Sequence, residues 1–251
     1  MIQNKKLAVF ILVFMIVLLT CPVIYAENER DDGYFTIYEE DTDKKIFCTS
    51  RVIYVGDQYL NEQNIMYEVV KVSKDKAYAR FKERINIEKA LDIPEASAME
   101  PAMQKDKTAI TKKEKMVALY HTHSDESYIP TDGVSSIPNR GGIYKVGEAL
   151  KMALEKRGIT VIQSQTSHDP HDAMAYQRSR RTAMELLKKN PDAIIDIHRD
   201  AVPAEEYQAQ VNGKPLAKMQ LLVGRHNPLM RTLTNFAWQL KATADRSDEH
   251  T

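Results

Sequence analysis

Hydrophobic and polar positions are arranged differently in successive parts of the chain, and the first part is apolar throughout. Residues 7–26 carry no charged side chain, and a helix of that length spans roughly 30 Å, the thickness of the hydrocarbon core of a bilayer. Lys5 and Lys6 precede the run and acidic residues follow it, so the rest of the chain is expected outside the cytoplasm. We predict a cytoplasmic tail and transmembrane anchor over residues 1–26. A signal peptide cleaved after Ala26 is the alternative, and it leads to the same side of the membrane.

Residues 33–82 have the short apolar runs and polar breaks of a β-rich module. Gly56 and Asp57 mark a turn between two of these runs, because glycine and aspartate favour the backbone angles of tight turns. No residue grouping in the segment indicates catalysis, so we predict a packing or docking module. The predicted strands cover residues 34–38, 45–49, 51–55, 67–72 and 77–81.

Residues 83–115 change to a polar composition that is dense in lysine and glutamate. Pro94 and Pro101 would interrupt any long helix, since proline removes a backbone donor and clashes with the preceding turn. We predict a linker here, with one short helix near residues 85–91.

From residue 116 onward, strand patterns alternate with helix patterns. Apolar residues recur at helical spacing over residues 143–157, and Gly158 follows as an end signal. This alternation predicts an α/β domain over residues 116–251, with a mostly parallel sheet and flanking helices. Ligand sites in such sheets lie beyond the carboxyl ends of the strands. The other predicted elements are helices at 173–189 and 228–240 and strands at 117–120, 160–163, 193–197 and 219–223.

Composition and charge narrow the function classes. Lys plus Arg and Asp plus Glu both number 35, so the formal net charge is zero. A nucleic-acid-binding protein usually has a clear basic surplus, and we therefore expect no nucleic-acid partner. Cys21 lies in the apolar run and Cys48 is alone in the remaining chain, which excludes an internal disulfide there and a cysteine-rich zinc module.

Two histidine-bearing segments follow predicted strands of the α/β domain. His123 comes after strand 117–120 and His198 comes at the end of strand 193–197, so neighbouring strands would bring the two rings together. Catalytic zinc commonly takes two histidines and one carboxylate, and Glu126 follows His123 at the H-x-x-E spacing. Zinc would lower the pKa of a bound water so that it attacks an amide carbonyl, and a nearby carboxylate would move the proton to the leaving amine.

Other interpretations of these residues stay open. A histidine after a strand is often only a hydrogen-bonded loop residue, and at most one of His121 and His123 is expected to face an ion. Asp196 and Asp200 flank His198 and either orient its ring or pair with Arg199.

Serine, arginine and other histidine side chains of the same segment allow further interpretations. Ser124 and Ser127 lack the glycine-flanked elbow that such a nucleophile uses. The arginines of helix 173–189 form either a solvated face or contacts to an acidic substrate. The remaining histidines lie in polar surroundings, so we predict that they are surface residues: His168, His171, His226 and His250.

Three strings of the α/β segment together resemble the stage II sporulation protein P family: YHTHSDESY at 120–128, YQRSR at 176–180 and DIHRDA at 196–201. The resemblance covers most of residues 34–240. It implies a membrane-anchored, zinc-dependent N-acetylmuramoyl-L-alanine amidase with additional peptide-cleaving activity, which thins septal peptidoglycan during engulfment. It also implies a complex with the stage II sporulation proteins D and M.

The same resemblance assigns site residues. His123 and His198 match the zinc-ligating histidines of related amidases, and we expect Glu126 to be the third ligand and the catalytic carboxylate. Asn139 lies nearer to the position of the later glutamate that related amidases use as a ligand. Residues expected to orient the ligands or to contact substrate are His121, Arg199, Asp200 and Arg180.

The C-terminal part departs from the family pattern. Related amidases have a catalytic glutamate on a late strand, whereas residues 241–251 form a polar tail in which Glu249 has no strand context. We therefore expect weak or no activity and an uncovered sheet edge. A non-catalytic protein that binds the wall or scaffolds a complex is the main alternative, and a metal-dependent carboxypeptidase is a further one.

Overall fold

The computed structural model describes residues 29–30, 33–91, 114–211 and 213–249. The predicted anchor at 1–26 lies outside these residues. Within the described ranges, no helix combines the length and apolar character that crossing a bilayer requires. The described chain is a mixed α/β structure with a five-stranded sheet, a three-stranded sheet and a two-stranded hairpin.

The first sheet is built from residues 35–84 and has the strand order β2-β1-β5-β4-β3. Strand β1 runs parallel to β5, and the other neighbours are antiparallel. Alternate residues of β1 and β5 face one side, as the two-residue period of a strand requires, and form a buried cluster with Val69 of β4: Phe35, Ile37, Val69, Ala77 and Ala79. The strands are β1 Phe35–Glu39, β2 Lys45–Thr49, β3 Gln58–Leu60, β4 Ile65–Ser73 and β5 Lys76–Arg84.

The predicted strand at 51–55 is wrong. Arg51 makes a single bridge to Glu29, and the following residues form a turn in which the Tyr54 amide donates to Asp57 Oδ2 at 2.7 Å. Gly56 has a φ of 88° in this turn. The segment contributes to packing instead, because the apolar side chain of Ile53 contacts the core of the sheet.

The predicted linker at 83–115 is partly structured. Strand β5 continues to Arg84, and helix α1 covers Ile87–Leu91. Residues 92–113, where most of the linker was predicted, lie outside the described ranges.

Truncating Ile37 to alanine is expected to destabilise the protein by about 2–5 kcal/mol, because the side chain is 0% exposed and its loss leaves a cavity. Thermal or urea unfolding measures the change. Ile129→Ala is the matched control: Ile129 is 65% exposed, so a change within about 0.5 kcal/mol is expected. Equal losses for both variants would contradict this assignment of the core.

The second sheet is small and entirely parallel, with the order β7-β6-β8. The central strand has its buried residues on both faces, Ala118 and Leu119 each being 0% exposed, which is usual for a parallel strand covered on both sides. Its strands are β6 Met116–Tyr120, β7 Thr160–Gln163 and β8 Ala193–Asp196. The helices of this part are α2 Ile129–Asp132, α3 Ile143–Glu155, α4 Ala175–Leu187, α5 Ala204–Tyr207 and α6 Met230–Glu249.

The predicted strand at 219–223 is also wrong. This segment is irregular, and Met219 and Leu222 are 69% and 52% exposed. A strand needs a partner for its backbone groups. The preceding strands β9 Gln208–Val211 and β10 Lys214–Ala217 pair with each other, and among the described residues no strand pairs with residues 219–223. Helix α6 continues through the tail to Glu249 rather than ending near residue 240.

Candidate active site

The candidate site lies where the parallel strands β6 and β8 end side by side. Tyr120 and Asp196 are paired in register, and the Ile197 amide donates to the Tyr120 carbonyl oxygen at 3.0 Å. The next residues of both strands therefore leave the sheet at the same edge. His123 and His198 come from these two exits, and their ring centroids lie 5.2 Å apart.

The loop after β6, residues 121–127, is polar and buried, with exposed fractions between 0% and 4%. Its backbone is held by the segment that begins α3. The Gly141 amide donates to the Ser124 carbonyl at 2.8 Å, and the Ile143 amide donates to the Glu126 carbonyl at 2.9 Å. These bonds place the Glu126 side chain in the interior, where it is 0% exposed.

Several buried polar atoms around this loop have no hydrogen-bond partner, although nearly all buried polar atoms in folded proteins have one. Among the described residues they include both ring nitrogens of His123, Oε1 of Glu126, Nδ1 of His198 and Oε1 of Glu29. The Glu126 and His198 atoms are 3.6 Å apart, which is too long for a hydrogen bond. Such a ring of unpaired nitrogen and oxygen donors fits a cation.

Two groups of three side chains have ligand atoms close enough to hold a metal ion, all within 4.8 Å of one another. One group is Glu29, Glu126 and His198, and the other is Glu29, His123 and His171. The sequence-predicted ligands His123, Glu126 and His198 are thus divided between the two groups, and Glu29 is common to both.

His198 is oriented by Asp196. Its Nε2 lies 3.0 Å from Asp196 Oδ2, and Asp196 Oδ1 also accepts the Thr122 amide at 2.9 Å. Burial alone would lower the pKa of His198, but the bond to Asp196 and the negative charge of the nearby Glu126 outweigh it and raise the pKa to about 10. Because Nε2 of His198 contacts the Asp196 carboxylate, Nδ1 is the nitrogen available to a metal.

His123 and His171 are stacked, with ring centroids 4.0 Å apart and an interplanar angle of 11°. Burial lowers the pKa of His123 to about 4, which keeps its imidazole neutral, the form that binds metals. Bonds to Asp125 and Glu29 raise the pKa of His171 to about 10. Its Nδ1 lies 2.9 Å from Asp125 Oδ1.

The prediction that His168 is a surface residue is wrong, whereas His171 is exposed as predicted. His171 lies in the site, and His168 is 3% exposed, with its Nδ1 2.7 Å from the His121 carbonyl oxygen. A signal for both was present in the sequence, because they follow the carboxyl end of β7, the third strand that ends at this edge. His226 is exposed, and His250 lies outside the described residues.

The expected orienting residues lie in different surroundings. The Arg199 amide donates to Glu126 Oε2 at 2.6 Å, whereas Asp200 accepts from Ser50. His121 is turned towards Gln163, whose amide nitrogen lies 3.2 Å from its Nε2. Arg180 is on the exposed face of α4.

Three further candidates from the sequence analysis either lie outside the potential metal-binding groups or already have hydrogen-bond partners. Asn139 belongs to neither group, and its amide donates to Asp169. Ser124 and Ser127 are both 0% exposed, and each hydroxyl is hydrogen-bonded within the loops. This burial does not favour a serine nucleophile.

A cleft of about 500 Å³ adjoins the site. It shares Asp125 and His171 with the surroundings of His123, so a bound molecule could extend from the histidines into it. Its lining is Asp125, Ser136, Pro138, Asn139, Asp169, Pro170 and His171.

Comparison with known proteins identifies the family to which the chain belongs. The family model described as Stage II sporulation protein P (SpoIIP) matches residues 43–247, which include the histidine-bearing loops and every strand of the two larger sheets except β1. The chain belongs to the stage II sporulation protein P family. The resemblance seen in the three sequence strings is thereby confirmed, and membership of this family connects the chain with sporulation.

One curated relative allows the matched length of this chain to be compared with the length of a family member. The chain is 34% identical to Stage II sporulation protein P of Bacillus subtilis (strain 168) over 129 residues, which cover 46% of this chain and 32% of the relative. The match therefore spans about a third of the relative's length. No solved structure matches the chain.

Proposed function

We propose that this chain is a zinc-dependent peptidoglycan hydrolase that cleaves the amide bond between N-acetylmuramic acid and the stem peptide during sporulation. The observation that carries this proposal is the set of buried, unpartnered atoms of His123, Glu126 and His198 at one sheet edge. Two nitrogens and one oxygen are the ligand set of many catalytic zinc sites. Membership of a sporulation family supports the cell-wall context.

The residues of the chain prepare this ligand set. Asp196 fixes the ring of His198, the Arg199 amide fixes one oxygen of Glu126, and burial keeps His123 neutral. A bound zinc would polarise an amide carbonyl and lower the pKa of a bound water. Fixed partners of this kind hold ligands in one orientation and increase metal affinity.

Glu126 is also assigned as the carboxylate that moves a proton. Burial raises its pKa, so the carboxyl group can hold a proton nearer to neutral pH than an exposed glutamate can. Its Oε2 accepts the Arg199 amide, so Oε1 is the oxygen left for either role, and it would have to leave the metal before it carried a proton towards the leaving amine. The adjoining cleft would receive part of the glycan or stem peptide.

Location and partners belong to the same proposal. The apolar residues 7–26 would anchor the chain, with the hydrolytic part in the septal space between membranes. The stage II sporulation proteins D and M would be its partners, as the family resemblance implies.

A second candidate is a protein of the same fold that binds the wall or scaffolds a complex without hydrolysis. One specific observation favours it: the carboxylate of Glu29 lies among the candidate ligands, and a catalytic zinc needs one position open to water.

Replacing His123 with alanine is the test of the proposed function. We expect zinc content of the purified full chain to fall, with affinity lowered by more than about 100-fold because a ligand is lost rather than a residue that supports one. Zinc analysis and release of stem peptides from purified peptidoglycan are measured together. His226→Ala is the control, since His226 is exposed, and it should behave as the parent chain.

The outcomes separate the two candidates. Zinc binding and stem-peptide release that are both lost in His123→Ala support the hydrolase. Zinc bound without any turnover supports the scaffolding protein, and a parent chain that binds no zinc contradicts the ligand assignment.

A further inference from the structure

Glu29 is a residue of the N-terminal part whose side chain lies inside the candidate metal site. It precedes β1, yet its carboxylate is common to both groups of potential ligands. The side chain is only 7% exposed, and its Oε1 has no hydrogen-bond partner. This Oε1 lies 4.0 Å from His198 Nδ1, and Oε2 lies 3.6 Å from His171 Nε2.

The backbone around Glu29 is attached to the first sheet. Glu29 forms a bridge with Arg51, and the Arg30 amide donates to the Ser50 carbonyl at 2.9 Å. The Arg30 guanidinium lies 2.6 Å from Asp75 and covers the ring of Phe35 at 4.6 Å. The backbone of the segment is thus attached to the N-terminal module, while the Glu29 side chain reaches the histidines.

The first sheet is in turn joined to the segment that follows His198. Asp200 Oδ1 accepts both the amide and the hydroxyl of Ser50, each at 2.7 Å, and the Ala201 amide donates to Ser50 Oγ at 3.0 Å. A second contact joins Lys45 and Glu206 at 2.6 Å. Ser50 therefore connects the residue beside Glu29 to the residues just after His198.

We propose that Glu29 is a further ligand of the zinc site, supplied by the N-terminal module, and that it takes the coordination position which a catalytic zinc leaves to water. This inference rests on the proposed function. The Glu29 carboxylate is buried beside a second carboxylate, Glu126, and belongs to both potential ligand groups. The Arg51 guanidinium lies 3.8 Å from its Oε1, beyond hydrogen-bond distance, and a bound cation would compensate the remaining negative charge. The module thereby controls access to zinc, and hydrolysis requires that the Glu29 carboxylate be displaced.

Glu29→Ala in the zinc-loaded full chain tests this. We expect the zinc affinity, measured by competition with a chelator, to fall by more than about 100-fold, because a ligand is lost rather than a residue that supports one. Turnover per bound zinc should rise, because the position of the carboxylate becomes free for water. The visible absorption of the cobalt-substituted protein should change as well, since the ligand set differs.

Glu40→Ala is the matched control, because Glu40 is an exposed carboxylate that pairs with Arg80 at 2.7 Å in the same module. It should alter neither zinc affinity nor the cobalt spectrum. Ser50→Ala is a second variant that retains Glu29 but removes the hydroxyl bond to Asp200. We expect it to shift zinc affinity and turnover in the same directions by a smaller factor.

Each possible result decides the proposal. An unchanged zinc affinity and cobalt spectrum in Glu29→Ala would overturn it. Turnover that falls while the spectrum stays unchanged would also overturn it, and would make Glu29 a proton carrier instead. Failure of the proposed function is separate, because it is already visible in the parent chain as an absence of zinc, and in that case Glu29 is no zinc ligand either.

Discussion

Replacing Glu126 with glutamine is expected to abolish stoichiometric zinc binding and, with it, hydrolysis. The side chain is 0% exposed, so water cannot compensate for a changed donor set. Oε2 accepts the Arg199 amide at 2.6 Å, and this position requires an acceptor. The glutamine must therefore direct its carbonyl oxygen to Arg199 and its NH₂ group towards His198 Nδ1, and an amide NH₂ does not bind a metal.

The expected size of this effect is a loss of zinc affinity of more than about 100-fold, measured by chelator competition, with stem-peptide release falling to background. Glu148→Gln is the control, because Glu148 lies on the exposed surface of α3, 4.0 Å from Lys151, and loses the same charge. Zinc binding that survives in Glu126→Gln would remove Glu126 from the ligand set and leave Glu29 as the carboxylate ligand.

The sheet edge that carries the site could be predicted because its signals are local. Strands β6 and β8 are short apolar runs, and His123 and His198 follow them directly. A parallel sheet then brings such positions together wherever the strands are neighbours. The same principle applied to β7 would have included His171, which was missed because its acidic and polar neighbours are also typical of a surface loop.

Glu29 could not be predicted from any local pattern. Its place in the site depends on its bridge to Arg51, on the bonds of Ser50 to Asp200, and hence on how two separately patterned segments meet. Ser50 and Asp200 are 150 residues apart in the sequence. A contact over such a separation produces no periodicity or spacing by which the sequence could indicate it. The β-rich module was accordingly predicted to be only a packing or docking unit.

The errors at 51–55 and 219–223 have one physical cause. Both runs are apolar enough to resemble strands, and 51–55 is also rich in β-branched residues. A strand also needs a backbone partner, however, and propensity does not specify one. Ile53 uses its apolar side chain against the sheet core, while the bonds of Tyr54 and Asp57 close a turn. In the second run, Met219 stays 69% exposed.

Replacing Gly141 with alanine is expected to reduce both stability and zinc binding. A Cβ atom at this position would overlap the carbonyl oxygen of Glu126 and lie 2.5 Å from that of Asp125. These are backbone atoms of the buried loop that carries His123, and the Gly141 amide itself bonds to Ser124 in that loop. Because a backbone cannot turn aside as a flexible side chain can, the whole loop must shift.

We expect a loss of about 3 kcal/mol in the free energy of unfolding, at the upper end of overpacking effects, together with weaker zinc binding because Glu126 and His123 move with the loop. Gly142→Ala is a neighbouring control in which the new Cβ meets only the carboxylate of Asp132, a side chain that can rotate away, so about 1 kcal/mol is expected. Thermal unfolding of the metal-free and zinc-loaded proteins separates the two effects. Equal losses in the two variants would mean that the loop tolerates displacement, and the ligand positions would then not depend on close packing against Gly141.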